Sequence, residues 1–247
     1  MGAVAMHRDS LPEGARVVVR PAAVPVPPGE YAGRHRLLPR SALVALDSVP
    51  TSMYSAFMST PERLIESTRE LLWERGYVGT SPKAIQEHAG AGQGSMYHHF
   101  KGKPDLALAA IRRTAEELRA AAEGVLGAPG SPYERVEAYL RRERDVLRGC
   151  PVGRLTMDPD VIASAELRAP VDETIDWLRE RLAGIVEEGK EQGQFAPSLD
   201  AEEISATILA TVQGGYVLAR ASGSPAAFDT AVRGLLALLS PAGRGLG

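Results

Sequence analysis

Between Gln93 and Lys103 the chain crowds amide, hydroxyl, imidazole and ammonium groups together: Gln93, Ser95, Tyr97, His98, His99, Lys101 and Lys103. Such a set could ligate a metal, move protons, or hydrogen-bond along a polyanion. Neighbouring histidines on a helix point about 100° apart, so His98 and His99 do not converge on one ion, and no metal site is expected. One of them is expected to meet phosphate while the other packs. Acid–base groups occur elsewhere, at Asp158, Asp160 and Glu166. No nucleophile elbow, phosphate loop or dinucleotide fingerprint accompanies them, so no catalytic residue and no cofactor are expected. Hydrogen bonding to a nucleic-acid duplex is a chemistry that these groups allow. A glutamine amide pairs bidentately with adenine, whereas hydroxyls, ammonium groups and helix N-termini hold phosphates.

The elements that must position these groups are written in the flanking residues. Ser81 suits an N-cap and Pro82 the first helical position, where no amide donor is needed. Ile85 and Ala89 give that helix an apolar stripe, and Gly90-Ala91-Gly92 supply a sharp turn. A second helix then opens near Gln93, with the small or amide-bearing Gln93, Gly94 and Ser95 in its first turn. Two short helices across a tight turn, at about 82–101, are the layout of a helix-turn-helix, whose second helix offers its N-terminal residues to the major groove.

The run from Thr60 to Leu106 resembles the DNA-binding domain of the TetR family of transcriptional regulators, and GAGQGSMYHHFKGK resembles that of its LmrA/YxaF-like branch. Gly90, Gly94, Ser95, Tyr97, His98, His99 and Phe100 match the family's turn and recognition helix. Ala91, Gly92 and Gln93 depart from its usual Val, Ser and Lys. Gly92 is the weaker cap, so the recognition helix should fray more readily without DNA. Gln93 exchanges a point charge for an amide that can read a base. The resemblance implies DNA contacts at Ser81, Lys83, Gly92, Gln93, Gly94, Ser95, Tyr97, His98, His99, Lys101 and Lys103, with Tyr97 and Lys103 near the phosphate backbone. It also implies a homodimer on a palindromic operator, most often a repressor released by a small apolar ligand.

Composition sets the limits within which this reading must hold. Alanine, leucine and glycine dominate and strand-favouring runs are few, so the fold class expected is all-α. An N-terminal three-helix helix-turn-helix domain (58–105) is expected to precede a C-terminal helical ligand-binding and dimerisation domain (106–240). A net charge of −3 and a pI near 6.0 give no global attraction to DNA, so any contact must be local. The single cysteine, Cys150, excludes an internal disulfide and fits a reducing compartment. No apolar run is long enough to span a bilayer, and a cytoplasmic address is expected. Residues 1–57, Pro-rich and dotted with arginine, are expected to be a disordered extension. A basic arm on DNA, or residues upstream of a start at Met53 or Met58, are the other readings of that stretch.

Within the domains, Ser59 or Thr60-Pro61 with Glu62 should open the first helix and Gly76 should stop it. Trp73 and Tyr77 are expected in the core, and Arg69 to pair with Glu66, Glu70 or a phosphate. Pro104 is expected to begin a fourth helix running to about Glu123. Ser131-Pro132-Tyr133-Glu134 reads as a capping box for a helix with Val136, Tyr139, Leu140 and Leu147 on one face. Cys150 is read as a small buried apolar group rather than a redox sensor. A long helix from about Ser164 to Gln192 contains Pro170, expected to bend it. Two Ala- and Gly-rich terminal helices would close a dimer or the monomer core. Tyr139, Met157, Trp177 and Tyr216 are the candidate ligand-binding residues. The competing reading is a helical small-molecule carrier or scaffold that binds no DNA.

Overall fold

Ser59 opens the first helix, α1 (Thr60–Arg75), by giving both its amide and its hydroxyl to the Glu62 carboxylate, at 2.9 and 2.7 Å. The computed structural model describes residues 58–240, so the N-terminal extension and the readings attached to it lie outside the described residues. Nine further helices follow there: α2 (Pro82–Ala89), α3 (Gln93–His99), α4 (Lys103–Leu126), α5 (Pro132–Arg141), α6 (Pro151–Leu155), α7 (Pro159–Ala163), α8 (Ala165–Glu191), α9 (Ala201–Ser222) and α10 (Ala226–Leu239). The described chain is all-α.

Caps explain where most of these begin. The hydroxyls of Ser131 and Ser164 and the carboxylate of Asp200 accept first-turn amides of α5, α8 and α9. Pro170 sits buried inside α8, and its carbonyl accepts the Thr174 hydroxyl at 2.7 Å. α4 starts at Lys103, one residue ahead of Pro104, and runs to Leu126 rather than Glu123. α9 runs straight through Gly214-Gly215, ending at the left-handed Gly223.

One expectation is corrected. α5 stops at Arg141, so Leu147 is not on its apolar face and is 43% exposed. The Arg144 guanidinium folds back onto the carbonyls of Tyr139, Leu140 and Arg142, satisfying the helix end that a further turn would otherwise have used.

Three apolar clusters are threaded by α4. At its start, Leu106 joins Leu64, Leu71, Ile85, Ala89 and Met96, the core of the helix-turn-helix. Next along, Ala107, Leu108 and Ile111 meet Val152, Leu155 and Val161 of α6 and α7. Its last turns place Ala122 and Leu126 among α5, α8, α9 and α10. α4 therefore crosses residue 105 unbroken, as one rod common to both ends.

Candidate nucleic-acid interface

Met96, fully buried against Leu64, Ile85 and Leu106, is the anchor that presents α3. Its neighbours on the helix then face outward: Gln93, Gly94, His98 and His99 are exposed, Tyr97 is 50% exposed, and Ser95 is half-buried. The turn before it works because Gly90 adopts a left-handed backbone with φ 59°, and the Ala91 amide reaches back to the Gln86 carbonyl at 3.0 Å. Gly92 is the N-cap of α3 and has no side chain to satisfy the first-turn amides; that of Ser95 turns to the Gly92 carbonyl at 3.1 Å, and those of Gln93 and Gly94 stay available to a ligand.

Ser81, Lys83, Gln93 and Tyr97 line one shallow depression between the start of α2 and the outer face of α3. The Ser81 hydroxyl oxygen accepts the Ala84 amide at 3.1 Å, which leaves its proton to donate outward. Lys83 is well exposed and only loosely held by Glu87 at 3.7 Å. Lys101, just after α3, is also exposed, its amide given to Asp105 at 3.0 Å. Lys103 stands apart from this group. Its ammonium lies 3.8 Å from the centroid of the Tyr77 ring, and burial lowers its pKa, with Asp160 and Asp158 pulling the other way. His98 and His99 also depart from expectation. Neither packs into the core; both are exposed, and their rings meet edge to face at 4.9 Å.

Behind the helix-turn-helix, a cavity of about 280 Å³ lies between α1, α4, α5, α6, α8 and α9. Of the candidate ligand residues, Tyr139 and Tyr216 both line it. Met157, 85% exposed, lines an adjoining cleft that Tyr216 shares, and the half-buried Trp177 lines neither. Burial pushes the Tyr216 phenol up to about 12 and raises that of Tyr139. Cys150 caps α6, its sulfur accepting the Gly153 amide at 3.2 Å, and lines both spaces.

Ion pairs and buried amide contacts outside the helix-turn-helix join it to the helices that follow. Arg69 pairs with Glu66 and, across 48 residues, with Glu117 of α4 rather than with Glu70. Glu70 pairs instead with Arg148, whose guanidinium stacks 3.8 Å from the centroid of the Trp73 ring. Asp158, an acid–base candidate by type, is an internal strut whose oxygens all receive backbone amides. The Asp158-Pro159 pair carried that signal, being a helix-start signature.

Comparison with known proteins matches two stretches of the chain. The family described as "Bacterial regulatory proteins, tetR family" matches residues 64–110, and "Tetracyclin repressor-like, C-terminal domain" matches residues 132–235. The HTH-type transcriptional regulator LmrA of Bacillus subtilis (strain 168) is 29% identical over 165 residues, 64% of this chain and 84% of LmrA. A TetR transcriptional regulator from Chloroflexus aurantiacus J-10-FL is 28% identical and superposes with a TM-score of 0.65, over 72% of this chain and 92% of its own. AibR, solved in complex with isovaleryl coenzyme A and operator DNA, shares the fold at 21% identity, with a TM-score of 0.60 over 74% of this chain and 99% of AibR. With its helix-turn-helix and its C-terminal helical domain each matched in place, the chain belongs to the TetR family of transcriptional regulators.

Proposed function

We propose that the protein is a homodimeric repressor that holds a palindromic operator through α3 of each protomer and releases it when a small molecule occupies the cavity of its C-terminal domain. The observation that carries this reading is the depression shared by Ser81, Lys83, Gln93 and Tyr97, held outward by the buried Met96. In this reading Gln93 reads a base edge and the Ser81, Tyr97 and Lys101 side chains meet phosphates, with Lys103 steadying the domain from the Tyr77 ring. Work on DNA fits a cytoplasmic protein, and no helix among the described residues is long and apolar enough to cross a membrane.

Dimerisation through α9 and α10 is supported by their outward faces. Ala206, Ala210, Gly214, Leu218 and Ala221 are exposed at helical spacing on α9, with Gly234 and Leu238 on α10. Leu238 is 84% exposed and Val217 67%, and nothing lies within 4 Å of a Cβ built at Gly214 or Gly234. Small residues flanked by exposed apolar ones let a second helix pair approach closely. Two copies of α3 must stand about 34–36 Å apart to enter successive major grooves on one face of the duplex. A ligand that prefers another packing of α1 and α4 against the C-terminal helices therefore acts on DNA by changing that spacing.

Footprinting the purified protein on the DNA flanking its own gene tests this reading, repeated over a range of salt. One protected palindrome is expected, with log K falling against log salt at a slope of about −5 if about six phosphates are neutralised per dimer. Leu218→Glu should yield monomers that no longer protect it. A chain that stays monomeric and ignores every such fragment would be the carrier or scaffold instead.

A further inference from the structure

The cavity behind the helix-turn-helix holds a charge that its own walls do not balance. Of the three arginines that line it, Arg69 is matched, by Glu66 and Glu117. Arg142 and Arg144, which both line the cavity, have no carboxylate partner among the described residues. The Nε of each is buried and makes no hydrogen bond. Arg144 spends its terminal nitrogens on the carbonyls that end α5, and the charged or ionisable groups acting on it are Tyr216, Arg142 and Tyr139. The Arg142 guanidinium has no hydrogen bond among the described residues, and it sits 5.3 Å from the centroid of the Tyr139 ring. Burial lowers the pKa of Arg144, the cost of keeping a cation there.

Carboxylates do reach the cavity, but none answers these two. Glu117 is held by Arg69, Asp145 accepts the Arg148 amide at 3.1 Å, and Glu143 is exposed on the segment after α5. The remaining wall is mostly apolar, with Leu118, Val152, Ile175, Leu178, Leu209 and Val212, and carries Thr114, Thr174 and Gln213 as neutral polar groups. A half-buried guanidinium at a mostly apolar cavity, over the Tyr139 ring, is an uncompensated charge, and a neutral occupant would desolvate it further without supplying a counter-ion. A carboxylate supplies one in the geometry that the guanidinium fork favours.

We propose that the cavity binds a small apolar acid, an aryl or alkyl carboxylate whose head group pairs with Arg142 and whose body lies against Leu178, Leu209 and Val212. This rests on the ligand-responsive reading above and narrows it from an apolar molecule to an anionic one. Arg144 contributes field rather than a bond, since its terminal nitrogens are turned to the carbonyls that end α5. Tyr139 and Tyr216, both neutral phenols at physiological pH, flank the head group and exclude water from the pair.

Calorimetry on the full chain tests the assignment with matched probes: benzoate, 2-naphthoate and octanoate, each against its own primary amide, which keeps the shape and removes the charge. At least one acid is expected to bind about ten-fold more tightly than its amide. Arg142→Gln should abolish that preference, while Arg142→Lys keeps part of it. Circular dichroism of each variant shows that it has folded, and Tyr139→Phe, which keeps the ring beneath Arg142, should retain the acid preference. The proposal is overturned if no acid outbinds its amide, or if the preference survives in Arg142→Gln. Operator binding is scored separately by gel shift. Loss of acid preference with intact operator binding removes only this inference, whereas acid binding that leaves the operator complex unmoved removes the inducer role and leaves the site.

Discussion

Asp158 receives the backbone amide of Tyr77 at 2.7 Å, joining the turn that enters the helix-turn-helix to the C-terminal domain across 81 residues. The same Oδ2 takes the Val78 amide at 3.0 Å, while Oδ1 caps α7 through the amides of Asp160 and Val161. Gly76 is required beside it: its φ is +74°, and a Cβ there would stand 2.9 Å from Oδ2. Movement of α6 and α7, which border the cavity and its adjoining cleft, thus has a direct hydrogen-bonded route to the start of α2.

Asp158→Ala is expected to lower stability by about 3 kcal/mol, since buried amides lose a charged acceptor. Asp158→Asn keeps one acceptor oxygen and should lose less. Urea denaturation measures both. Operator binding of the Asn variant should respond less to ligand than that of the parent, because the strut is half-released.

Gln93→Ala should cost about 1–3 kcal/mol on the preferred operator while leaving binding to unrelated DNA and the salt slope nearly unchanged, as expected for a base contact. Lys101→Ala should weaken all DNA alike and flatten the salt slope by about two, one for each protomer. Anisotropy titrations at several salt concentrations separate the two.

Gly92→Ser restores the side chain that usually caps this helix. The backbone at Gly92 is ordinary, with φ −72°, and nothing lies within 4 Å of the added Cβ. A gain of about 0.3 kcal/mol is expected from the cap, visible as a small rise in Tm, together with slightly tighter operator binding.

Two glycines of α8 should respond in opposite directions to alanine. At Gly189 a Cβ would stand 2.2 Å from the Cδ2 of Phe195, a ring 2% exposed, so Gly189→Ala should cost about 1–3 kcal/mol by overpacking. At Gly184 a Cβ meets nothing within 4 Å, and Gly184→Ala should add up to about 1 kcal/mol through helix propensity. Paired thermal melts decide it.

Much of this was legible before any coordinate, because it is local. Ser81-Pro82, Gly90, and Ser131 with Glu134 each mark a helix end with chemistry contained in a few residues, and each stands where the sequence predicts it. What the local pattern missed depends on partners far along the chain. Leu147 continues the apolar spacing of α5, but Arg144 returns to the helix end and closes it. Glu117 as the partner of Arg69, and Asp158 as the acceptor for Tyr77, are contacts that only the tertiary fold creates. The same holds for the unmatched Arg142, whose isolation is a property of the cavity and not of its neighbours in sequence.

Trp73 gives its indole N–H to the Gly149 carbonyl at 3.1 Å, carries the Arg148 guanidinium on its face, and borders the cavity. The chain has only one other tryptophan, Trp177, which borders neither space. In Trp177→Phe, emission from the remaining indole becomes an optical gauge built into the seam between the two domains. Its colour and intensity would follow occupancy of the chamber and any parting of α1 from the segment before α6, with no dye attached.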